Sequence, residues 1–313
     1  ASLHDLGRYP DAAPAVEAIA RRHGVDPACV LPTAGGAEAF TLVARGIRTS
    51  RPVVVHPQFT EPEAALAAAG HEVGRCVLSR ESGFRLDPHA FAAGGAHADA
   101  DLVVVGNPTN PTGVLHPAAD LRSLRAPGRL VVIDEAFMDA VPGETESVIG
   151  TDLEGLLVVR SLTKTWGLAG LRAGYVVGDP AVVAALRSVQ PPWSVSSPAI
   201  AATVACLSER AVADAEAGAM TIAADREVLV RELASVGLRT AAPSDAPFVL
   251  VDTSPLGVGS VREELARLGF AVRRGETFPG LGPTWVRLAV RDPQTSRAVA
   301  AAFVELGRLN RVA

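Results

Sequence analysis

Hydrophobic residues in the first half of the chain occur in short continuous runs, separated by segments with apolar residues at helical spacing. The runs are rich in Val, Ile and Leu and cover residues 52–55, 73–78, 102–105, 130–133, 156–160 and 173–177. The segments with helical spacing cover residues 12–23, 37–47, 61–69 and 117–124. Continuous β-branched runs are typical of strands that are buried on both faces. The pattern therefore predicts an α/β fold with a mostly parallel sheet sandwiched by helices.

Beyond residue 180 the pattern changes to longer helical segments and fewer strands. Helical spacing covers residues 181–189, 197–207, 210–236, 260–268 and 293–309, and strand-like runs cover 248–251, 270–273 and 285–290. This mixture predicts a smaller α+β domain with an antiparallel sheet. We predict a large, ligand-binding domain over residues 25–190, and a small domain that combines residues 1–24 with residues 191–313.

Polar residues follow the ends of several predicted strands. Asn107 and Asn110 follow one strand, Asp134 follows the next, and Ser161 and Lys164 follow a third. In sheets of this type, ligands bind at the carboxyl ends of the parallel strands. We therefore expect these side chains to share one binding site.

Composition and charge exclude several classes of protein. The chain has 313 residues, of which 48% are hydrophobic and 20% charged, with a net charge of −5. It shows no basic stripe for nucleic acid and no apolar run long enough to span a membrane. The three cysteines and seven histidines form no disulfide or metal-ligand pattern, so we expect no metal and a reducing, cytoplasmic location. Residues 1–5 do not resemble the start of a signal peptide.

Lys164 is the only lysine in the chain, and the other 28 of the 29 basic residues are arginines. Arginine stays protonated at physiological pH, whereas a desolvated lysine amine can lose its proton and attack a carbonyl. Compositional drift toward arginine is the alternative explanation. The segment Ser161-Leu162-Thr163-Lys164 also matches the Ser-x-x-Lys motif of penicillin-recognising serine enzymes. That family needs a second lysine motif, which a chain with one lysine cannot contain.

Four segments in register resemble motifs of the class I/II aminotransferases, which are pyridoxal-phosphate enzymes of fold type I. Residues 161–175 resemble the family's lysine segment and residues 107–113 (Asn-Pro-Thr-Asn-Pro-Thr-Gly) its asparagine motif. Residues 33–38 resemble its phosphate loop, and residues 134–137 (Asp-Glu-Ala-Phe) resemble Asp-Glu-Ala-Tyr. The resemblance implies a fold-type I enzyme with pyridoxal 5'-phosphate as cofactor.

The resemblance also implies a role for each residue of the site. The phosphate would be bound by backbone N–H groups at a helix N-terminus and by hydroxyl and guanidinium donors. These phosphate ligands would be Gly35, Gly36, Ala37, Ser161, Thr163 and Arg172, together with Tyr9 reaching the cofactor of a partner subunit.

The cofactor ring would be held by a second group of residues. Phe59 would stack on its face, Asn110 would contact its phenolic oxygen, and Asp134 would keep its nitrogen protonated. Lys164 would form the Schiff base and then move protons. The contribution of Tyr9 to a partner's site implies a homodimer with shared active sites.

The sequence departs from the standard aminotransferase in ways that bear on the reaction. Phe137 replaces the motif's tyrosine, and only eight residues precede Tyr9, fewer than the family's N-terminal arm. Residues 190–198 and 272–291 resemble the threonine-phosphate decarboxylases of cobalamin synthesis. In that branch Arg287, Arg273 and Asn110 would bind a small phosphorylated amino acid.

The resemblance in these segments favours decarboxylation of L-threonine O-3-phosphate. A histidinol-phosphate-type aminotransferase is the alternative, and a non-catalytic regulator that binds pyridoxal phosphate is the alternative of another class. We expect no nucleic-acid or membrane partner in any of these cases.

Overall fold

Seven strands form the larger of the two sheets in the computed structural model, which describes residues 6–309. The strands are β1 (Val30–Thr33), β2 (Pro52–His56), β3 (Gly74–Val77), β4 (Leu102–Gly106), β5 (Leu130–Asp134), β6 (Leu156–Ser161) and β7 (Gly174–Gly178). Their order is β1-β7-β6-β5-β4-β2-β3, and only β7 runs antiparallel to its neighbours. The predicted, mostly parallel sheet is confirmed.

Helices cover both faces of this sheet because successive strand residues point to opposite sides. Val54 packs with α2 (Gly36–Gly46), α3 (Glu61–Ala68) and α5 (Pro180–Val189), whereas Val53 and Val55 pack on the other side with α4 (Ala118–Ser123) and the loops near it. Both faces are therefore apolar, which explains why the strands appear in the sequence as continuous runs.

A further pair of helices packs beside β7. Helix α1 (Ala13–His23) ends at Gly24, whose φ of 63° is the left-handed cap that the sequence predicts. Ile19 of α1 packs against Tyr175 and against Ile200 of α6 (Ser197–Cys206). Both helices lie on the small-domain side of the predicted division at residues 24 and 190, yet they pack against the large sheet. The division itself stays a prediction.

The second sheet is antiparallel throughout, as predicted. Its order is β10-β11-β9-β8, with β8 (Arg239–Thr240), β9 (Phe248–Asp252), β10 (Arg273–Arg274) and β11 (Trp285–Ala289). Helices α7 (Glu209–Ser235), α8 (Arg262–Arg267) and α9 (Pro293–Leu309) cover one face. The other face carries Phe248 and Arg287, which occupy alternate positions to the buried Val249 and Val286.

Two details of the small sheet differ from the sequence prediction. The strand expected over residues 270–273 is only the two-residue β10, and β8 was not expected. Strands of two residues are too short to show a period in the sequence. Within residues 6–309, every helix is too short or too polar to cross a membrane. Residues 1–5, on which the expectation about a signal peptide depends, lie outside the described residues.

Candidate active site

A cleft with about 530 Å³ of empty space lies at the carboxyl edge of the large sheet. The carboxyl ends of the parallel strands β4, β5 and β6 meet at this edge, and their following residues line the cleft. The lining residues are Gly36, Ala37, Phe40, Phe59, Asn110, Asp134, Ala136, Phe137, Ser161, Thr163, Lys164 and Arg172. The structure thus brings together most of the residues that the sequence predicts, while their individual roles stay predictions.

One end of the cleft is built to hold an anion. Gly35 precedes the first turn of α2, so the free backbone N–H groups of that turn point toward the cleft. The guanidinium of Arg172 lies so close to Gly35 that a Cβ there would come within 2.7 Å of Nη2. The hydroxyls of Ser161 and Thr163 are 2.8 Å apart, and both side chains are buried. These donors suit a phosphate.

Asp134 is a buried carboxylate in the middle of the cleft. Its Oδ1 accepts a hydrogen bond from the Ala136 N–H at 3.1 Å. Burial raises the pKa of Asp134 to about 6, although that hydrogen bond and the positive charge of Lys164 act to lower it. A carboxylate with so few partners suits a protonated ring nitrogen, which would favour its charged form.

Lys164 reaches the cleft from the loop after β6. Burial lowers the pKa of its amine, the positive charge of Arg287 lowers it further, and Asp134 opposes the shift. Its Nζ lies 5.7 Å from the centre of the Phe137 ring. A lowered pKa increases the fraction of neutral amine, which is the form that attacks a carbonyl.

Arg287 joins the small sheet to this cleft. Its Nη1 donates a hydrogen bond of 2.5 Å to Asn110 Oδ1, and its Cζ lies 4.7 Å from the centre of the Phe248 ring. Burial and the neighbouring Arg273 lower the pKa of Arg287 to about 10. Its buried Nε has no hydrogen-bond partner among residues 6–309. Arg287 does not line the cleft itself, but Asn110, which accepts its hydrogen bond, does.

Arg273 lies directly opposite Arg287 in the β10–β11 pair. Its side chain is exposed, and its Cζ lies 5.5 Å from the centre of the Phe278 ring. It is therefore near Arg287 and, like Arg287, it does not line the cleft in this structure.

The loop that carries Asn110 is fixed from below by a buried histidine. Asn107 Oδ1 accepts a hydrogen bond from the backbone N–H of His116 at 2.7 Å, and Thr109 Oγ1 lies 3.2 Å from His116 Nε2. Burial lowers the pKa of His116 to about 4, so this imidazole is neutral at physiological pH. The asparagine motif is thus held rigidly where it meets the cleft.

Tyr9 does not line the cleft of its own chain. It is 77% exposed and stacks on Trp193, with the ring centres 4.2 Å apart. Two residues near the site, Phe40 and Phe248, are not predicted from the sequence. Phe40 lies one turn into α2 and fits the apolar core pattern equally well. Phe248 approaches through Phe137, whose ring centre is 4.9 Å away.

An anion site, a buried carboxylate and a reactive lysine amine in one cleft define an α/β enzyme that handles a phosphorylated carbonyl cofactor. A family model described as aminotransferase class I and II matches residues 2–303. The chain belongs to this family. Pyridoxal phosphate is the family's cofactor, and the residues of the cleft fit it at its phosphate, ring nitrogen and carbonyl carbon.

Relatives with two different names match almost the whole chain. A histidinol-phosphate aminotransferase of Mycobacterium tuberculosis is 44% identical over 96% of this chain and 80% of its own length. A threonine-phosphate decarboxylase of Salmonella typhimurium is 31% identical over 96% of this chain and 84% of its own length. The crystal structure of L-threonine-O-3-phosphate decarboxylase from Porphyromonas gingivalis is 26% identical, with a TM-score of 0.80, and covers 96% of this chain and 93% of that one.

Proposed function

We propose that the protein is a pyridoxal-phosphate-dependent aminotransferase that acts on a small phosphorylated amine, as histidinol-phosphate aminotransferases do. The observation that carries this proposal is the placement of Arg287. Its guanidinium donates a hydrogen bond to Asn110, which lines the cleft that holds Lys164, and its buried Nε has no partner among the described residues. An aminotransferase needs such an anchor for the carboxylate of its amino-acid donor.

The residues of the cleft divide the chemistry among them. Bound pyridoxal phosphate supplies an electron-withdrawing ring that stabilises negative charge on the substrate's α-carbon. Asp134 would keep the ring nitrogen protonated, and this cationic partner would offset the burial that raises the pKa of the carboxyl. Lys164, with its lowered pKa, would remove the proton from the substrate's α-carbon and deliver it to a second carbon.

Arg287 would bind a substrate carboxylate in either reaction, and in doing so it would favour proton removal over loss of the carboxylate. Paired hydrogen bonds from a guanidinium stabilise a carboxylate in its charged form. That stabilisation is lost when the group leaves as neutral carbon dioxide, so the anchor raises the barrier to decarboxylation. The 44% identity with the mycobacterial aminotransferase supports the same choice.

Decarboxylation of L-threonine O-3-phosphate is the second candidate. Residues 190–198 and 272–291 resemble that branch, and the relatives from Salmonella and Porphyromonas carry that name. Under this candidate the enzyme would have a place in cobalamin synthesis.

Two parallel assays separate the candidates. The cofactor-loaded protein is incubated with L-histidinol phosphate and 2-oxoglutarate, and glutamate is measured. In the second arm it receives L-threonine O-3-phosphate alone, and carbon dioxide and aminopropanol phosphate are measured. We expect glutamate in the first arm. Carbon dioxide without glutamate would overturn the proposal, and so would a protein that binds the cofactor but converts neither substrate. Lys164→Ala is the control for both arms.

We also propose that the protein is a homodimer that completes its sites across the interface. Tyr9 is exposed and lies outside its own cleft, which leaves it free to reach a partner's cofactor. Light scattering should give twice the mass of one chain. Mixing Lys164→Ala with Tyr9→Ala protein should restore some activity, because one of the two shared sites would then be intact. A monomeric active enzyme would contradict this proposal.

A further inference from the structure

Behind the cleft, a buried arginine holds three carboxylates. Arg160 is 2% exposed and forms ion pairs with Glu135 at 2.9 Å, Asp139 at 2.8 Å and Glu144 at 2.6 Å. Burying a guanidinium costs free energy of folding unless it is fully paired, so a buried cluster of this kind suggests a structural or functional role. None of these four side chains lines the cleft.

The cluster lies directly behind two residues of the active site. Glu135 follows Asp134 at the end of β5, and Arg160 precedes Ser161 at the end of β6. Neighbouring residues on a strand point to opposite sides, so Asp134 and Ser161 face the cleft while Glu135 and Arg160 face away from it. The backbone continues the pairing, since the Glu135 N–H donates to the Val159 carbonyl at 2.9 Å.

Glu135 is held more firmly than an ordinary ion pair requires. It is buried, and besides Arg160 it accepts hydrogen bonds from the Ser147 hydroxyl and the Val148 N–H, each at 2.8 Å. Burial raises the pKa of Glu135, and the positive charge of Arg160 opposes that shift. The pair therefore fixes the ends of β5 and β6 with bonds that are shielded from water.

The charges around the pair come from several elements. Arg22, at the end of α1, donates to Glu144 at 2.7 Å, and His23 bonds the Tyr175 hydroxyl at 2.9 Å. Burial lowers the pKa of His23 to about 3, with the charge of Arg160 acting in the same direction, so His23 adds no positive charge here. Arg160 and Arg22 are thus the cations that balance the three carboxylates.

We propose that Arg160 and Glu135 are positioning residues for cofactor binding, and that their ion pair sets the separation between Asp134 and Ser161. Those two residues would bind opposite ends of pyridoxal phosphate, its ring nitrogen and its phosphate. A small change in their separation would weaken both contacts together. The inference rests on the family's cofactor and not on which reaction follows, so it can fail while the proposed aminotransferase activity stands.

The test compares two buried arginines at opposite ends of the same sheet. Arg160→Lys keeps the positive charge but loses the planar fork that reaches Glu135. Arg129→Lys is the matched control, because Arg129 is also buried and donates to the carbonyls of Ala100 and Leu124 at 2.7 and 2.8 Å, beside the first residue of β5. Both variants should lose stability, and only the first should lose cofactor affinity.

Pyridoxal phosphate is titrated into each folded variant, and the absorbance band of the lysine-bound cofactor is recorded. We expect Arg160→Lys to bind the cofactor roughly 10- to 100-fold more weakly, a loss typical of removing a residue that supports the binding residues. Its absorbance band should also be weaker. Arg129→Lys should bind like the parent. Equal affinity in both variants, or an equal loss in both, would overturn the proposal. If Arg160→Lys does not fold, Glu135→Gln decides by the same criterion.

Discussion

Replacing Gly35 by alanine should separate the stability of the fold from its affinity for the cofactor. Gly35 has φ 79° and ψ 173°, a combination that is almost restricted to glycine. An added methyl group would also lie 2.7 Å from Nη2 and 3.3 Å from Cζ of Arg172. The substitution therefore strains the backbone and displaces the Arg172 guanidinium, which would face the phosphate of the bound cofactor.

The two effects have different sizes and different readouts. The backbone strain should cost about 1–3 kcal/mol of the free energy of unfolding. The guanidinium is the flexible end of a side chain, so it moves aside at little cost to stability. Its displacement removes a charge-assisted hydrogen bond to the phosphate, which is worth about 1.5–3 kcal/mol. The dissociation constant of pyridoxal phosphate should therefore rise by roughly 10- to 150-fold.

Gly24→Ala provides the control. Gly24 also has a positive φ, 63°, but no atom lies within 4 Å of its added Cβ, and it lies outside the cleft. It should lose about 1–2 kcal/mol of stability without any change in cofactor affinity. Urea unfolding of the cofactor-free proteins measures the first quantity, and titration with pyridoxal phosphate measures the second. A Gly35→Ala protein that is destabilised yet binds the cofactor as the parent does would refute the reasoning.

Three further substitutions test two residues of the cleft, Lys164 and Asp134, and Arg287, which contacts the cleft residue Asn110. Lys164→Arg should abolish the absorbance band of the lysine-bound cofactor, because arginine cannot form the Schiff base; persistence of the band would exclude Lys164 from this role. In the folded, cofactor-free protein the pKa of Asp134 is about 6, above the ordinary value of 3.8. Between these two pH values the folded state binds more protons than the unfolded state, so the free energy of unfolding falls as the pH rises. The raised pKa corresponds to about 3 kcal/mol of the free energy of unfolding. Asp134→Asn should remove this difference in stability between pH 4 and pH 7, measured by urea unfolding, and it should also weaken cofactor binding. Arg287→Lys should raise KM for the carboxylate substrate roughly 10- to 100-fold with a smaller change in kcat, because the ammonium lacks the paired donors; an unchanged KM would remove Arg287 from the substrate site.

Much of the large sheet and its cleft could be predicted because both follow from local patterns. A strand that is covered on both faces must be apolar at every position, as Val103, Val104 and Val105 are. Asn110 and Asp134 stand out because they follow such strands, and parallel strands bring their carboxyl ends together. Pattern and topology thus point to the same edge of the sheet.

Contacts between distant parts of the chain could not be predicted in this way. Arg287 meets Asn110 across 177 positions of sequence, and Arg160 meets Glu135 across 25. Both contacts depend on which strands are neighbours and on how the small sheet lies against the large one. The apolar run before Arg160 places it at the end of a buried strand, but it does not indicate the three carboxylates that Arg160 contacts in the folded protein.

The position of Lys164 in the cleft, as the only lysine of the chain, allows cofactor occupancy to be counted by peptide chemistry. Because the chain has no other lysine, a lysine-specific protease would cut the denatured protein once, into fragments of 164 and 149 residues (313 − 164). Borohydride reduction of the loaded enzyme would convert that side chain into a secondary amine and block the cut. The ratio of intact chain to fragments would then report the fraction of occupied sites, without any assumption about the substrate.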